Sequence, residues 1–265
     1  MSPELLLRLA LVPAAVWLAS LAARRWGHSV SGYLGGMPLI GGPITFFLAM
    51  DHGAEFGARS ATFTLAAVAA QAAHLVTYGA VGTQRKRWAM ALLAGWTAFA
   101  VVASIVSRFA WVAPAAGLAA AIGLASAWRV LPRFTGVAAL PAVPRIELYL
   151  RLAAAVALAA FIFWGAARFG PVVSGILLSL PVTGSIMPPF TLALYGPDAV
   201  ARLLRGFVIG LSGFSTFFFV VAVAAPGLGI VPAFLGAVPA ALAAVFIAGH
   251  VARGADRTIA PDETP

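Results

Sequence analysis

The residues whose types and spacing could do chemistry fall in two short runs, 35–43 (GGMPLIGGP) and 179–189 (SLPVTGSIMPP), each inside a long apolar stretch. Proline removes a backbone donor and its ring clashes with the preceding turn, so each run should break a helix near its middle. A break inside a membrane frees N–H and C=O groups, which is tolerated only where protein or a water-filled cavity surrounds them. The chemistry on offer is solute binding. The outgoing half-helices should start near Gly42 and Pro43 and near residues 185–189, with proline suited to a first helical position. Their starts aim partial positive charge and unpaired N–H groups at whatever lies ahead of them. Gly41, Gly42, Pro43 and Thr45 from the first run, with Pro181, Thr183, Gly184 and Ser185 from the second, are the expected solute site. The central part of neither run carries Lys, Arg, Asp or Glu, so the helix starts tilt the expectation toward an anionic or carboxylate-bearing solute. The plainer alternative is that Gly and Pro serve close packing and a kink, while Ser and Thr bond their own backbone.

Three further residues could move a proton. Asp51 stands where the first broken stretch should meet the external side, and an ionisable group within a membrane is costly and usually functional. Gln71 and His74 are three residues apart in an apolar run and so share a helix face. A loop carboxylate and a packed, hydrogen-bonded histidine are the structural alternatives. Glu55 with Arg59, and Asp198 with Arg202, have the i,i+4 spacing that closes the start of a helix. No metal site is expected, because His28, His52, His74 and His250 are widely spaced and cysteine is absent. No phosphate-binding Gly-rich loop or nucleophile elbow is present, so neither an enzyme nor a cofactor is expected.

The stretches that must position these residues are membrane spans. A chain of 265 residues that is 62% hydrophobic and 9% charged, with mean hydropathy +0.99, has too much apolar surface for one water-soluble core. The basic residues sit in short groups between apolar runs, as cytoplasmic loops are marked, and form no stripe for nucleic acid. Expected partners are the lipid bilayer and a small-molecule solute, with no nucleic acid; a homodimer is compatible with this plan. At about 20 residues per crossing the expected fold is all-α and polytopic, with nine spans at 4–23, 30–50, 60–81, 88–107, 111–130, 146–167, 172–195, 199–224 and 228–251. The second and seventh are the broken ones.

The chain also repeats itself. Shifting residues 25–59 by 143 lays them on 168–202 without a gap, with 12 identities in 35 positions that include Gly27 on Gly170, Ser31 on Ser174, Pro38 on Pro181 and Gly53 on Gly196. Spans one to four then match six to nine, which divides the chain into a first repeat (1–110), a linking helix and loop (111–145), a second repeat (146–251) and a disordered cytoplasmic tail (252–265). An odd linking span inverts the second copy. With the N-terminus outside, 13 of the 17 basic residues fall at the cytoplasmic side, leaving only Arg8, Arg59, Arg108 and Arg168 outside. Re-entrant hairpins in place of crossings would set the basic clusters against each other. Inverted repeats with broken helices are a recurrent plan of secondary transporters, whose site lies near the midplane where the breaks meet.

The pattern SGxLxxxP followed by GGPITFFLAMDHGAEFGAR, within residues 30–81, resembles the short GlpM-type bacterial membrane proteins. Those proteins are about half as long, so the chain resembles a fused pair of them. Leu194 and Tyr195 stand where the first copy has Asp51 and His52, which assigns any role of that pair to one half only. The resemblance implies the bacterial inner membrane and permits a loose link to exopolysaccharide production. Two functions follow as expectations: a small secondary transporter working by alternating access, with or without proton coupling, or a non-transporting partner or structural subunit of an envelope-polysaccharide system.

Overall fold

The computed structural model of the chain describes residues 32–82, 87–132 and 145–257, together with Ala14 and Trp17. The first expected span, the clusters at Arg24–Arg25 and Arg85–Lys86, most of the expected linker and the tail from residue 258 lie outside the described residues. All the elements are helices: α1 (Gly41–His52), α2 (Ala54–Ala66), α3 (Val68–Val81), α4 (Trp88–Val106), α5 (Ala113–Val130), α6 (Arg145–Leu178), α7 (Val182–Tyr195), α8 (Pro197–Leu228) and α9 (Ile230–Arg257). A short helical turn at 32–36 precedes α1. Among the described residues seven helices are long and apolar enough to cross a membrane. The protein is a membrane-embedded helical bundle.

Glycine sets the corners. Gly53 ends α1 at φ 93°, ψ 163°, and Gly196 ends α7 at φ 83°, ψ −174°. This extended region with positive φ is one that essentially glycine alone adopts. Pro197 then occupies the first position of α8, where its missing N–H costs nothing. Gly170, at φ 69° and ψ −179°, followed by Pro171, bends α6 in the same way. The third span starts earlier than its apolar run suggests, at Ala54, because the polar AEFGAR turn stays helical once Gly53 has redirected the chain. Helix α9 likewise continues to Arg257, beyond Ala252, where the tail was expected to begin; Ala252 itself is buried.

Two long helices form the core. Ala54–Val81, which joins α2 and α3 through a single turn residue at Ala67, and Pro197–Leu228 are buried over 67% and 61% of their most apolar stretch, against 17–39% for the other spans. The others surround these two. Helix α2 packs on α8 and α6, α3 on α4 and α5, and α8 on α9. The outward faces carry large apolar side chains, among them Leu93, Leu118, Trp164 and Leu235, each at least 63% exposed. Such a continuous apolar exterior suits lipid and not water. Arg205 of α8, 5% exposed, lies 3.7 Å over the Trp128 ring and points Nη1 at the carbonyls of Trp128 and Leu131, where α5 ends. A cation at a helix C-terminus complements the dipole and the unpaired carbonyls there. Asp198 and Glu55 are exposed at the first turns of α8 and α2; Arg59 is exposed whereas Arg202 is buried, so the two i,i+4 pairs occupy different surroundings.

The breaks are seated by close helix crossings. A Cβ at Gly32 would lie 2.5 Å from the Leu203 carbonyl oxygen and 2.8 Å from Gly206 Cα, and one at Gly36 would lie 2.5 Å from the Phe207 carbonyl oxygen. The turn before the first break therefore rests directly on the backbone of α8. In the other half a Cβ at Gly175 would collide with the Ser60 carbonyl and lie 2.8 Å from Phe63 Cβ, so the end of α6 rests on α2 in the same manner. Small residues at such crossings let backbones approach where lipid offers no hydrophobic drive for association.

Candidate functional site

Both expected breaks exist, but the second outgoing helix starts at Val182 and not near residues 185–189, so Pro188 and Pro189 lie inside it. Pro43 is the third residue of α1 and not the first. The first break spans 37–40, where Leu39 N–H donates to the Met37 carbonyl at 2.8 Å and Gly42 N–H to the Pro38 carbonyl at 2.8 Å. The second spans 179–181. There Ser179 and Leu180 donate to carbonyls three residues back, tightening the last turn of α6, before Val182 N–H donates to the Leu180 carbonyl at 2.8 Å. Neither α1 nor α7 has a side-chain hydrogen bond capping its start. Gly42 N–H and Val182 N–H are taken up within the breaks and Pro43 carries no N–H, so only part of each first turn is left to its surroundings.

The two breaks enclose one cavity of about 70 Å³. Residues 34–37 and 39–41 line it from one side and 180–184 from the other, with Leu158 of α6, Gln71 and Leu75 of α3, and Phe207, Leu211 and Phe214 of α8 completing the wall. The volume admits a few water-sized groups. Among the described residues no charged side chain lines it; the polar side chains are Gln71 and Thr183. Gly41, at the start of α1, faces the Leu178 carbonyl near the end of α6: a Cβ there would lie 3.6 Å from that oxygen.

Three polar side chains of α2 and α3 reach carbonyls of α6, the second break and α7. Thr64 Oγ1 donates to the Ser60 carbonyl at 2.8 Å and lies 2.9 Å from the Gly175 carbonyl. Gln71 Nε2 donates to the Ser179 carbonyl at 2.7 Å, and His74 Nε2 lies 3.4 Å from the Gly184 carbonyl. A carbonyl only accepts, so the last contact requires the proton on Nε2. The imidazole is fully buried between α7 and α4, where a Cβ at Gly95 would lie 2.9 Å from Nδ1, with the Trp96 ring edge-on and the Tyr78 ring stacked. Gln71 and His74, one turn apart, thus hold the carbonyls on the two sides of the second break.

The sequence-derived site is brought together in part. Gly41, Pro181, Thr183, Gly184 and Gln71 line the cavity, and His74 stands directly behind Gly184. Gly42 and Pro43 instead line a neighbouring apolar cavity of about 510 Å³ with Phe46, Phe47, Phe217 and Phe234. Thr45 and Ser185 donate to the carbonyls of Gly41 and Pro181, four residues back, at 2.7 and 2.6 Å, which is the local use their position in a helix favours. Asp51 is exposed at the end of α1, about 15 Å along the axis from Gly41 at 1.5 Å per residue, and does not line the cavity. The aromatic wall of Phe207 and Phe214 was not anticipated. Carrying the 143-residue shift beyond residue 202 would have found it, since it sets Thr64, Gln71 and His74 against Phe207, Phe214 and Phe217. Among the described residues no group of His, Asp and Glu could hold a metal ion. Comparisons with protein-family models, with curated proteins and with solved structures found no match.

Proposed function

We propose that the protein is a small secondary transporter that moves an anionic or carboxylate-bearing solute by alternating access through the cavity between its two breaks. The observation that carries this reading is the composition of the cavity wall. Six pairs of lining residues are 143 apart: Gly35 and Leu178, Met37 and Leu180, Leu39 and Val182, Ile40 and Thr183, Gly41 and Gly184, Gln71 and Phe214. The contacts are reciprocal as well. Gly32 rests on Leu203 and Gly206 of α8, and Gly175 rests on Ser60 and Phe63, their counterparts in α2. Gly41 meets Phe218, and Gly184 meets Leu75, its counterpart. A contact of i with j mirrored by a contact of the equivalents is what a two-fold axis produces, and it supports two halves related about an axis through the cavity.

The nine-crossing plan supplies the inversion. The run Arg145–Tyr195 has 51 residues. As one straight helix it would measure about 76 Å, more than twice the roughly 30 Å hydrocarbon core. Its bend at Gly170 and its break at 179–181 fit two successive crossings, with Arg168 over the exposed Trp164 ring at 4.9 Å marking the turn at the membrane surface. The N-terminus is then external and the C-terminus cytoplasmic. Gly41 at the start of α1 and residues 182–184 at the start of α7 line the cavity, and helix starts, which favour negative charge nearby, support the anion preference.

Counterflow in proteoliposomes tests the proposal: labelled carboxylate outside should exchange against excess unlabelled carboxylate inside, faster than in protein-free vesicles. Exchange no faster than in the protein-free control contradicts transport. His74 is the group placed to couple that movement to protons. His74→Gln should remove the pH dependence of exchange and Asp51→Asn should retain it; the reverse pattern would assign coupling to Asp51.

A further inference from the structure

Taking the cavity as the solute site, we infer that its solute is amphipathic: a short carboxylate bearing an aliphatic or aromatic group, with its charged end toward Gln71 and Thr183 and its apolar end against Phe207 and Phe214. The inference rests on how unlike the two walls are. Gln71 and Thr183 are the polar side chains of the cavity wall, and Thr64 and His74, outside that wall, bond the carbonyls of Gly175 in α6 and Gly184 in α7. The residues 143 beyond Thr64, Gln71 and His74, which are Phe207, Phe214 and Phe217, present rings to the first break. A Cβ at Gly35 would lie 2.7 Å from Phe207 Cζ, one at Gly42 would lie 3.3 Å from Phe217 Cζ, and Phe214 faces the cavity itself.

A hydrated inorganic anion would use only the polar wall. Gln71 spends one N–H on Ser179 and retains a second N–H for a carboxylate oxygen; the Thr183 hydroxyl can donate beside it. The opposite wall, with Leu211 between the two rings, offers no hydrogen bond and favours apolar surface. The 510 Å³ cavity lined by Phe46, Phe217 and Phe234 shares Met37 and Leu39 with the smaller one, so the first break forms the partition between them.

Isothermal titration of the purified protein, at fixed pH and ionic strength, with sodium formate, acetate, propionate, butyrate, benzoate and chloride tests this. Affinity should rise about fourfold for each added methylene, with benzoate well above formate and chloride. Phe214→Ala should flatten the series, lowering benzoate affinity about tenfold and formate affinity less; Phe214→Leu, which keeps an apolar wall, should fall between and serves if the alanine variant does not fold. A flat or falling series, with formate or chloride binding as tightly as butyrate, would overturn the amphipathic solute while leaving an anion site. Benzyl alcohol binding as tightly as benzoate would overturn the carboxylate end. Heats no larger than dilution for every probe would overturn the cavity as a solute site altogether.

Discussion

Gln71 and His74 have similar work to do: each is a polar side chain in an apolar helix that reaches a carbonyl at or just past the second break. Removing one such donor strands a buried acceptor at a cost of about 1–3 kcal/mol. Gln71→Leu should therefore lower the melting temperature of the purified protein and abolish carboxylate binding, whereas Gln71→Asn, shorter by one methylene, should recover neither fully. An unchanged melting temperature in Gln71→Leu would mean that the Ser179 contact does not hold the break. The spacing of three residues already shows in the sequence that Gln71 and His74 share a face. What they bond to does not show there, because Ser179 and Gly184 lie more than a hundred residues away and both contribute backbone oxygens that any side chain would leave in place. Asp51 lies outside the cavity for a related reason. Its nearness in sequence to the first break is spent along a helix axis, 1.5 Å per residue, and takes it away from the cavity.

At the scale of elements, the decisive features are two crossings with no room for a side chain. Gly32 meets α8 and Gly175 meets α2 backbone to backbone. Gly32→Ala and Gly175→Ala should each destabilise by about 1–3 kcal/mol through overpacking, read as a shift in thermal melting. Gly227→Ala, where a Cβ would meet nothing within 4 Å, should shift it little. Equal shifts at all three positions would contradict the crossings. The breaks themselves were legible in part: Pro38 and Pro181 stand in them, whereas Pro188 and Pro189, where the second outgoing helix was expected to begin, are carried inside α7. The corners were partly legible: Gly53 and Gly196 fall on each other in the repeat, but nothing local says that a glycine will take positive φ there instead of serving a packing contact. Hydropathy draws the third span only from Ser60, whereas the helix starts at Ala54 with Glu55 in its first turn, where the i,i+4 spacing of Glu55 and Arg59 puts a helix start. The asymmetric lining of the cavity needed the repeat to be followed into residues where identity has faded.

For the whole molecule, the reading predicts nine crossings around one central cavity. A cysteine placed at position 86 should react with an impermeant reagent from the cytoplasmic side only, and labelling from outside would contradict the orientation. The protein contains no native cysteine, so single-cysteine variants report without background. That property also permits the most direct test of alternating access. Thr183 lies in the cavity wall at the second break; in proteoliposomes, Thr183→Cys should be modified by a small impermeant thiol reagent added to either face of the membrane, and a bound carboxylate should slow both reactions. Modification from one face only, or equal rates with and without carboxylate, would contradict a solute site that opens in turn to the two sides.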